Sequence, residues 1–165
     1  MNLYSKLAAR AANQNPVTVG MIGGGKFGSM FLAQARLTTG LQIAAVIDLA
    51  PERARANLAA TGWAAEQYAA TSISDAFKTG GTYVGDDAAT MIASGGIDIV
   101  VDATGDPSAG IRHALLCCEH GKNVVMVNVE ADALAGPLLA RRAEEAGIIY
   151  SLAYGDQPAL ICEQV

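Results

Sequence analysis

Charge, aromatic residues and cysteine are all scarce in this sequence, and each shortage removes a class of protein. Only 16% of the 165 residues are charged and 5% aromatic, while 52% are apolar. That is the composition of a globular interior and not of a disordered or nucleic-acid-coating chain. Positive charge is the scarcer sign: 11 Lys and Arg stand against 16 Asp and Glu, for a formal charge of -5. With no positive field for a phosphate backbone or an anionic membrane, any bound anion must be held by local geometry, and nucleic acid is excluded as a partner. Three cysteines, two of them adjacent as Cys117 and Cys118, make neither a disulfide framework nor a CxxC knuckle, and point to a reducing, cytoplasmic setting. No run approaches the roughly 18 apolar residues of a membrane span. Ahead of residue 16, Leu3, Tyr4, Leu7, Ala8 and Ala11 recur at helical spacing without a signal-peptide apolar segment. Residues 1–15 are read as an N-terminal helix; a transit peptide is the alternative, since Lys6 and Arg10 lie on an acid-free start. Self-similar periods and low-complexity tracts are also missing, which sets repeat architectures aside.

What remains is an alternation of short β-branched runs with helical stretches. Strands are expected at 17–22, 41–48, 82–84, 97–103, 123–128 and 148–152. Most are apolar almost throughout, as in Ile97, Ile99, Val100 and Val101, which suits strands covered on both faces in a parallel sheet. Helices are expected at 26–37, 51–60, 86–93, 107–120 and 132–146, with Pro51 and Pro107 at first-turn positions and Gly40, Gly121 and Gly147 as stops. Residues 61–81, with Trp63, Tyr68 and Phe77, are expected to hold one or two short helices. The pattern predicts an α/β Rossmann fold, a doubly wound six-stranded parallel sheet in three layers, over 16–153.

Gly23-Gly24-Gly25-Lys26-Phe27-Gly28 matches G-x-G-x-x-G, directly after the first strand and at the head of a helix, with Asp48 twenty residues beyond Gly28. Gly23 permits the turn, Gly25 lets backbone approach a diphosphate, and Gly28 removes a side chain where helix meets strand. The helix N-terminus, with Lys26 and Phe27 in its first turn, offers unpaired N–H groups to the diphosphate even on an acidic chain. Asp48 is placed for the adenosine ribose hydroxyls and favours NAD, whereas Arg53 close behind could pair the 2′-phosphate of NADP; the cofactor is NADP or NAD. A methyltransferase is the nearest competitor, but Met21-Ile22 stand where it wants an acid, and the third glycine fits a dinucleotide better.

In Asp102-Ala103-Thr104-Gly105-Asp106-Pro107, Thr104 and Gly105 should border the cofactor at the switch in strand order. Asn128, Glu130 and Asp156 follow the fifth and sixth strands and are the candidates for the reacting centre, with turn and cap roles as the alternative and Asp132 as the expected helix cap. His113, Cys117 and His120 share a helix face, but with no carboxylate in view and a helix expected to lie far from the sheet's C-terminal edge, no metal site is assigned. Cys117 and Cys118 read as small core residues.

Three stretches carry a resemblance: GGGKFGSMFLAQA at 23–35, VVMVNVEADALAGPLL at 124–139 and YSLAYGDQPALICE at 150–163. They resemble the homoserine-dehydrogenase-like NAD(P)-dependent oxidoreductases that carry a C-terminal SAF domain, including the type II 1-deoxy-D-xylulose 5-phosphate reductoisomerase-like enzymes. The resemblance implies a longer protein whose later part supplies a substrate domain, starting at 154–165, and hydride transfer between nicotinamide and a hydroxy or keto substrate such as a sugar phosphate. Homoserine dehydrogenases proper place a catalytic lysine after the asparagine that corresponds to Asn128; Val129 and Glu130 stand here, which argues against ordinary homoserine oxidation. A non-catalytic nucleotide sensor is the second hypothesis, a homo-oligomer is left open, and a reading frame that continues past Val165 would favour the enzyme. The expected outcome for this 165-residue chain alone is cofactor binding without turnover. Substrate-dependent loss of NADH or NADPH absorbance with keto acids or ketose phosphates, well above a Gly25→Val control, would overturn that.

Overall fold

The computed structural model of the chain describes residues 2–153. Its six strands are β1 (Val17–Ile22), β2 (Leu41–Ile47), β3 (Tyr83–Gly85), β4 (Ile99–Asp102), β5 (Asn123–Met126) and β6 (Tyr150–Leu152). Around them lie α1 (Leu3–Ala12), α2 (Lys26–Ala35), α3 (Pro51–Ala60), α4 (Ile73–Thr79), α5 (Ala88–Ala93), α6 (Pro107–Glu119) and α7 (Val129–Ala146). All pairings are parallel in the order β3-β2-β1-β4-β5-β6. The order reverses at β1, so a crevice opens at its C-terminal end between the β2 and β4 sides, as in doubly wound nucleotide-binding sheets. This is the expected six-stranded Rossmann architecture.

Both sheet faces are covered, which explains the unbroken apolar runs. On one face Met91, Ile92, Ala114, Cys117, Ala131 and Leu139 from α5, α6 and α7 meet Ile47, Val100 and Val124. On the other, Leu32, Ala35, Ala54 and Leu58 from α2 and α3 meet Val19, Met21 and Val46, closed by Trp63. Trp63 Nε1 donates to the Leu32 carbonyl at 3.1 Å, so its polar edge is satisfied in the core. Each fully buried Leu or Met here contributes about 1.5–3 kcal/mol. No helix among the described residues is long and apolar enough to cross a membrane.

Strand and helix limits shift by a few residues from the sequence reading, and residues 61–81 resolve into a 3-10 turn (Ala65–Tyr68) and α4. The largest correction concerns α7. It begins at Val129 and not Asp132, because Asn128 is the cap, its side chain accepting from Ala131 N–H at 3.0 Å. Asp132 instead accepts from the Tyr150 hydroxyl at 2.9 Å, fastening β6 to α7. The β-branched run through Val127 and Val129 disguised the strand-to-helix change.

α6 and α7 approach closely at Gly110, where an added Cβ would lie 2.7 Å from Asn128 Nδ2 and 2.8 Å from Ala131 Cβ. In an exposed helix Gly→Ala gains up to about 1 kcal/mol. At this contact the sign reverses: Gly110→Ala is expected to cost about 1–3 kcal/mol, read from urea unfolding, and a stabilised variant would refute the close approach.

Candidate functional site

Residues at the C-terminal edge of β1 are held by hydrogen bonds from both neighbouring strands. Gly23, at φ 96°, takes a conformation that disfavours a side chain, and a Cβ there would lie 2.7 Å from the Ala103 carbonyl. Its N–H donates to the Ile47 carbonyl at 2.7 Å. Gly24 N–H donates to Asp48 Oδ2 at 2.8 Å, and the Asn57 amide donates to the Gly24 carbonyl at 2.7 Å. At Gly28 a Cβ would collide with the Gly23 carbonyl, so the loop and the first turn of α2 close only on glycine. Gly25 is different. It is the N-cap of α2 with no side chain to satisfy the helix, and among the described residues nothing beyond its chain neighbours lies within 4 Å of where a Cβ would stand. A cradle of free N–H groups facing open space fits a diphosphate.

Asp48, 6% exposed, is the second fixed element. Its Oδ1 accepts from Ala50 N–H at 2.9 Å and from Arg53 at 2.7 Å, while Oδ2 holds Gly24. Burial pushes its carboxyl up, but the N–H groups of Ala50 and Gly24 and the Arg53 guanidinium outweigh this and hold it below the usual carboxylate range. Arg53 keeps most of its side chain in solvent, with donors to spare.

These groups line a cavity of about 500 Å³ that also takes in Asp86 and Ala88 beyond β3, Ala103 to Asp106 beyond β4, and Ala109, Arg112 and His113 on α6. Of the expected cofactor residues, Gly23, Gly25, Asp48, Arg53, Thr104 and Gly105 come together in this lining. Lys26 stands exposed at the first position of α2, Phe27 packs against the α2–α3 core, and Gly28 serves the loop from behind.

Of the candidates for the reacting centre, Asn128 and Glu130 are not part of the cavity lining. Asn128 is 1% exposed; its amide donates to Thr104 Oγ1 at 3.0 Å and to the Asp106 carbonyl at 2.8 Å while its carbonyl caps α7. Glu130 is exposed in the first turn of α7, and Asp156 lies outside the described residues.

One sequence reading is reversed here. His113 does have a carboxylate beside it, and α6 does reach the sheet edge: His113 Nδ1 sits 2.6 Å from Asp102 Oδ2, and the ring lines the cavity. Asp102, 1% exposed, also accepts from Thr104 N–H at 3.0 Å and Oγ1 at 2.6 Å. The signal was in the sequence, since an acid closes the apolar run Val100-Val101-Asp102 just as Asp48 closes β2. Among the described residues no three His, Cys, Asp or Glu converge on a metal position. Cys117 is fully buried, and burial pushes its thiol up to about 12.

The model of the oxidoreductase family with an NAD-binding Rossmann fold, GFO_IDH_MocA, matches residues 17–127. Similar solved structures include YvaA of Bacillus subtilis, a candidate oxidoreductase, at 21% identity and TM-score 0.62, over 90% of this chain and 37% of that one. Biliverdin reductase of Synechocystis sp. PCC 6803, in complex with biliverdin and NADP+, follows at 20% identity and TM-score 0.59, over 84% and 38%. A homoserine dehydrogenase of Thiobacillus denitrificans gives 19% identity and TM-score 0.63, over 83% and 29%. What these share with the chain is the fold, and the chain spans well under half the length of each. The comparison with curated proteins gives no match.

Gly25→Val should cost about 1 kcal/mol in unfolding, for the poorer N-cap, and leave the chain folded, since an added Cβ meets no described side chain or backbone beyond its neighbours. It should also abolish binding of NAD and NADP in calorimetric titration. Undiminished binding by the folded variant would remove the glycine loop from the site.

Proposed function

The chain belongs to the oxidoreductase family with the NAD-binding Rossmann fold, and from that premise we propose that it is the dinucleotide-holding part of an enzyme acting on a hydroxy or keto substrate such as a sugar phosphate. The observation that carries the reading is the cradle at Gly25, open in front and tied from behind through Gly24 to Asp48. When bound, the dinucleotide supplies hydride transfer at its nicotinamide. The chain's own residues bind and orient it: Gly23 and Gly25 receive the diphosphate, Lys26 adds positive charge beside it, and Thr104 and Gly105 border it on the β4 side. Asn128 acts as a positioning residue through Thr104 and the start of α7, with Glu130 and Asp156 on the substrate side. The finer assignment, to the SAF-bearing homoserine-dehydrogenase-like enzymes working in the cytoplasm, rests on NVEAD at 128–132 and YGDQP at 154–158. A substrate domain after residue 153 belongs to that assignment.

Cofactor preference turns on Asp48 and Arg53. An unpaired carboxylate at the end of β2 would repel a 2′-phosphate, but this one is compensated by Arg53 and two backbone N–H groups, and Arg53 has further donors facing outward. NADP is therefore accepted at least as well as NAD. Arg53→Ala should weaken NADP relative to NAD by about tenfold or more, the worth of hydrogen bonds to a charged group, read as the ratio of the two dissociation constants. An unchanged ratio would assign Arg53 to the Asp48 pair alone. Asp48→Ala is the poorer probe, because it also releases the glycine loop.

A further inference from the structure

The His113 side chain lies on the cavity wall, and its two ring nitrogens are in opposite situations. Nδ1 is fastened at 2.6 Å to Asp102, whose other oxygen receives both donors of Thr104. Asp102 thus acts as acceptor at both oxygens, and the proton between it and the imidazole belongs to Nδ1. Nε2 has no hydrogen-bond partner among the described residues, yet no unpartnered polar atom of a half-buried side chain is enclosed by protein. Among the described residues Nε2 therefore meets no partner, on a ring that lines the cavity.

The cavity's lining says which part of a dinucleotide this nitrogen would meet. Among the described residues the wall comes from the ends of β1, β2 and β4, the turn after β3, the first turn of α3, the start of α5 and the first two turns of α6; none comes from β5, β6 or α7. With the diphosphate at Gly25 and the ribose at Asp48 and Arg53, the enclosed half is the adenosine. The base then lies between Leu49, on the β2 rim, and Ala88 and Ala109, on α5 and α6, which pack against each other. His113, tied to Asp102 at the end of β4, lines the α6 side of the same cavity.

We propose that His113, held in one tautomer by Asp102, recognises the adenine base, its Nε2 accepting a hydrogen bond from the exocyclic 6-amino group. Adenine presents a donor at that position; hypoxanthine presents a carbonyl acceptor there, which an acceptor nitrogen cannot satisfy. The inference rests on dinucleotide binding in this cavity, and the test separates the two.

The 165-residue chain is titrated calorimetrically with NAD and with nicotinamide hypoxanthine dinucleotide. The adenine form should bind about tenfold more tightly, the worth of one hydrogen bond gained and one carbonyl left unpaired. His113→Asn keeps an amide donor where Nδ1 was, so Asp102 stays paired, but removes Nε2; the preference should fall below about twofold at unchanged thermal stability. Asp102→Asn makes the sharper prediction. Thr104 offers two donors to one oxygen, so the amide carbonyl turns towards Thr104 and its NH2 towards His113. The ring proton then moves to Nε2, which becomes a donor, and the preference should reverse towards hypoxanthine. Equal binding of both dinucleotides by the parent chain, or full preference retained in folded His113→Asn, overturns the assignment of His113 alone. Failure of the parent to bind either dinucleotide overturns the reading of the cavity itself.

Discussion

The Asp48 carboxylate is the point from which the nucleotide end of this sheet is organised. Buried at the end of β2, it would carry a desolvation cost of several kcal/mol if left alone. It is instead met by the N–H of Gly24 from the loop after β1, the N–H of Ala50 at the head of α3, and the Arg53 guanidinium one turn later. The loop after β1 and the head of α3 therefore share one acceptor at the end of β2. The glycine loop keeps its shape because Asp48 pulls from one side, Ala103 presses on Gly23 from the other, and Gly28 admits the Gly23 carbonyl into the first turn of α2. A loop fixed from behind can leave its front face bare, and the open space at Gly25 follows from this.

A second buried acid repeats the arrangement on the other side of β1. Asp102 ends β4 as Asp48 ends β2, and β1 lies between them in the sheet. Where Asp48 gathers backbone and an arginine, Asp102 gathers the two donors of Thr104 and the ring of His113. Through Thr104 Oγ1 and Asn128 the same network reaches the N-cap of α7. Three helix starts or walls are thus set by side chains at strand ends, and Gly110 lets α6 and α7 close over the Asn128 amide. Such a network is worth most when every member is satisfied, and no buried side-chain polar atom among the described residues is left without a partner.

Much of this was legible before any coordinates. Apolar runs such as Val100-Val101 suited strands covered on two faces, and three glycines after β1 with an acid closing β2 fitted a dinucleotide better than the methyltransferase alternative. What escaped was of two kinds. The start of α7 was hidden because Val127 and Val129 continue a strand-like pattern through the cap, so only the hydrogen bond from Ala131 to Asn128 reveals the change. The His113–Asp102 pair was hidden because its members are eleven residues apart across a strand, a turn and a helix, a separation with no periodicity to betray contact. Asp102 sat in view as a turn residue, and its equivalence to Asp48 appears only once β1 is placed between β2 and β4.

The lining of the cavity divides the work of an oxidoreductase unevenly. On the proposed reading its adenosine half is bounded by the ends of β2 and β4 and by α3, α5 and α6. At the ends of β5 and β6, where the nicotinamide would extend, Glu130 is exposed and Asn128 has turned its polar atoms inward to Thr104, Asp106 and Ala131. Holding the adenosine end tightly secures affinity but leaves the reacting carbon unconstrained, and alignment of reacting atoms can be worth about 7–11 kcal/mol of barrier. On the proposed reading the described residues grip the cofactor, and shielding and alignment at the nicotinamide need groups outside this lining. The polar networks meanwhile converge on the two carboxylates flanking β1, and the one at Asp102 extends through Thr104 to Asn128 after β5.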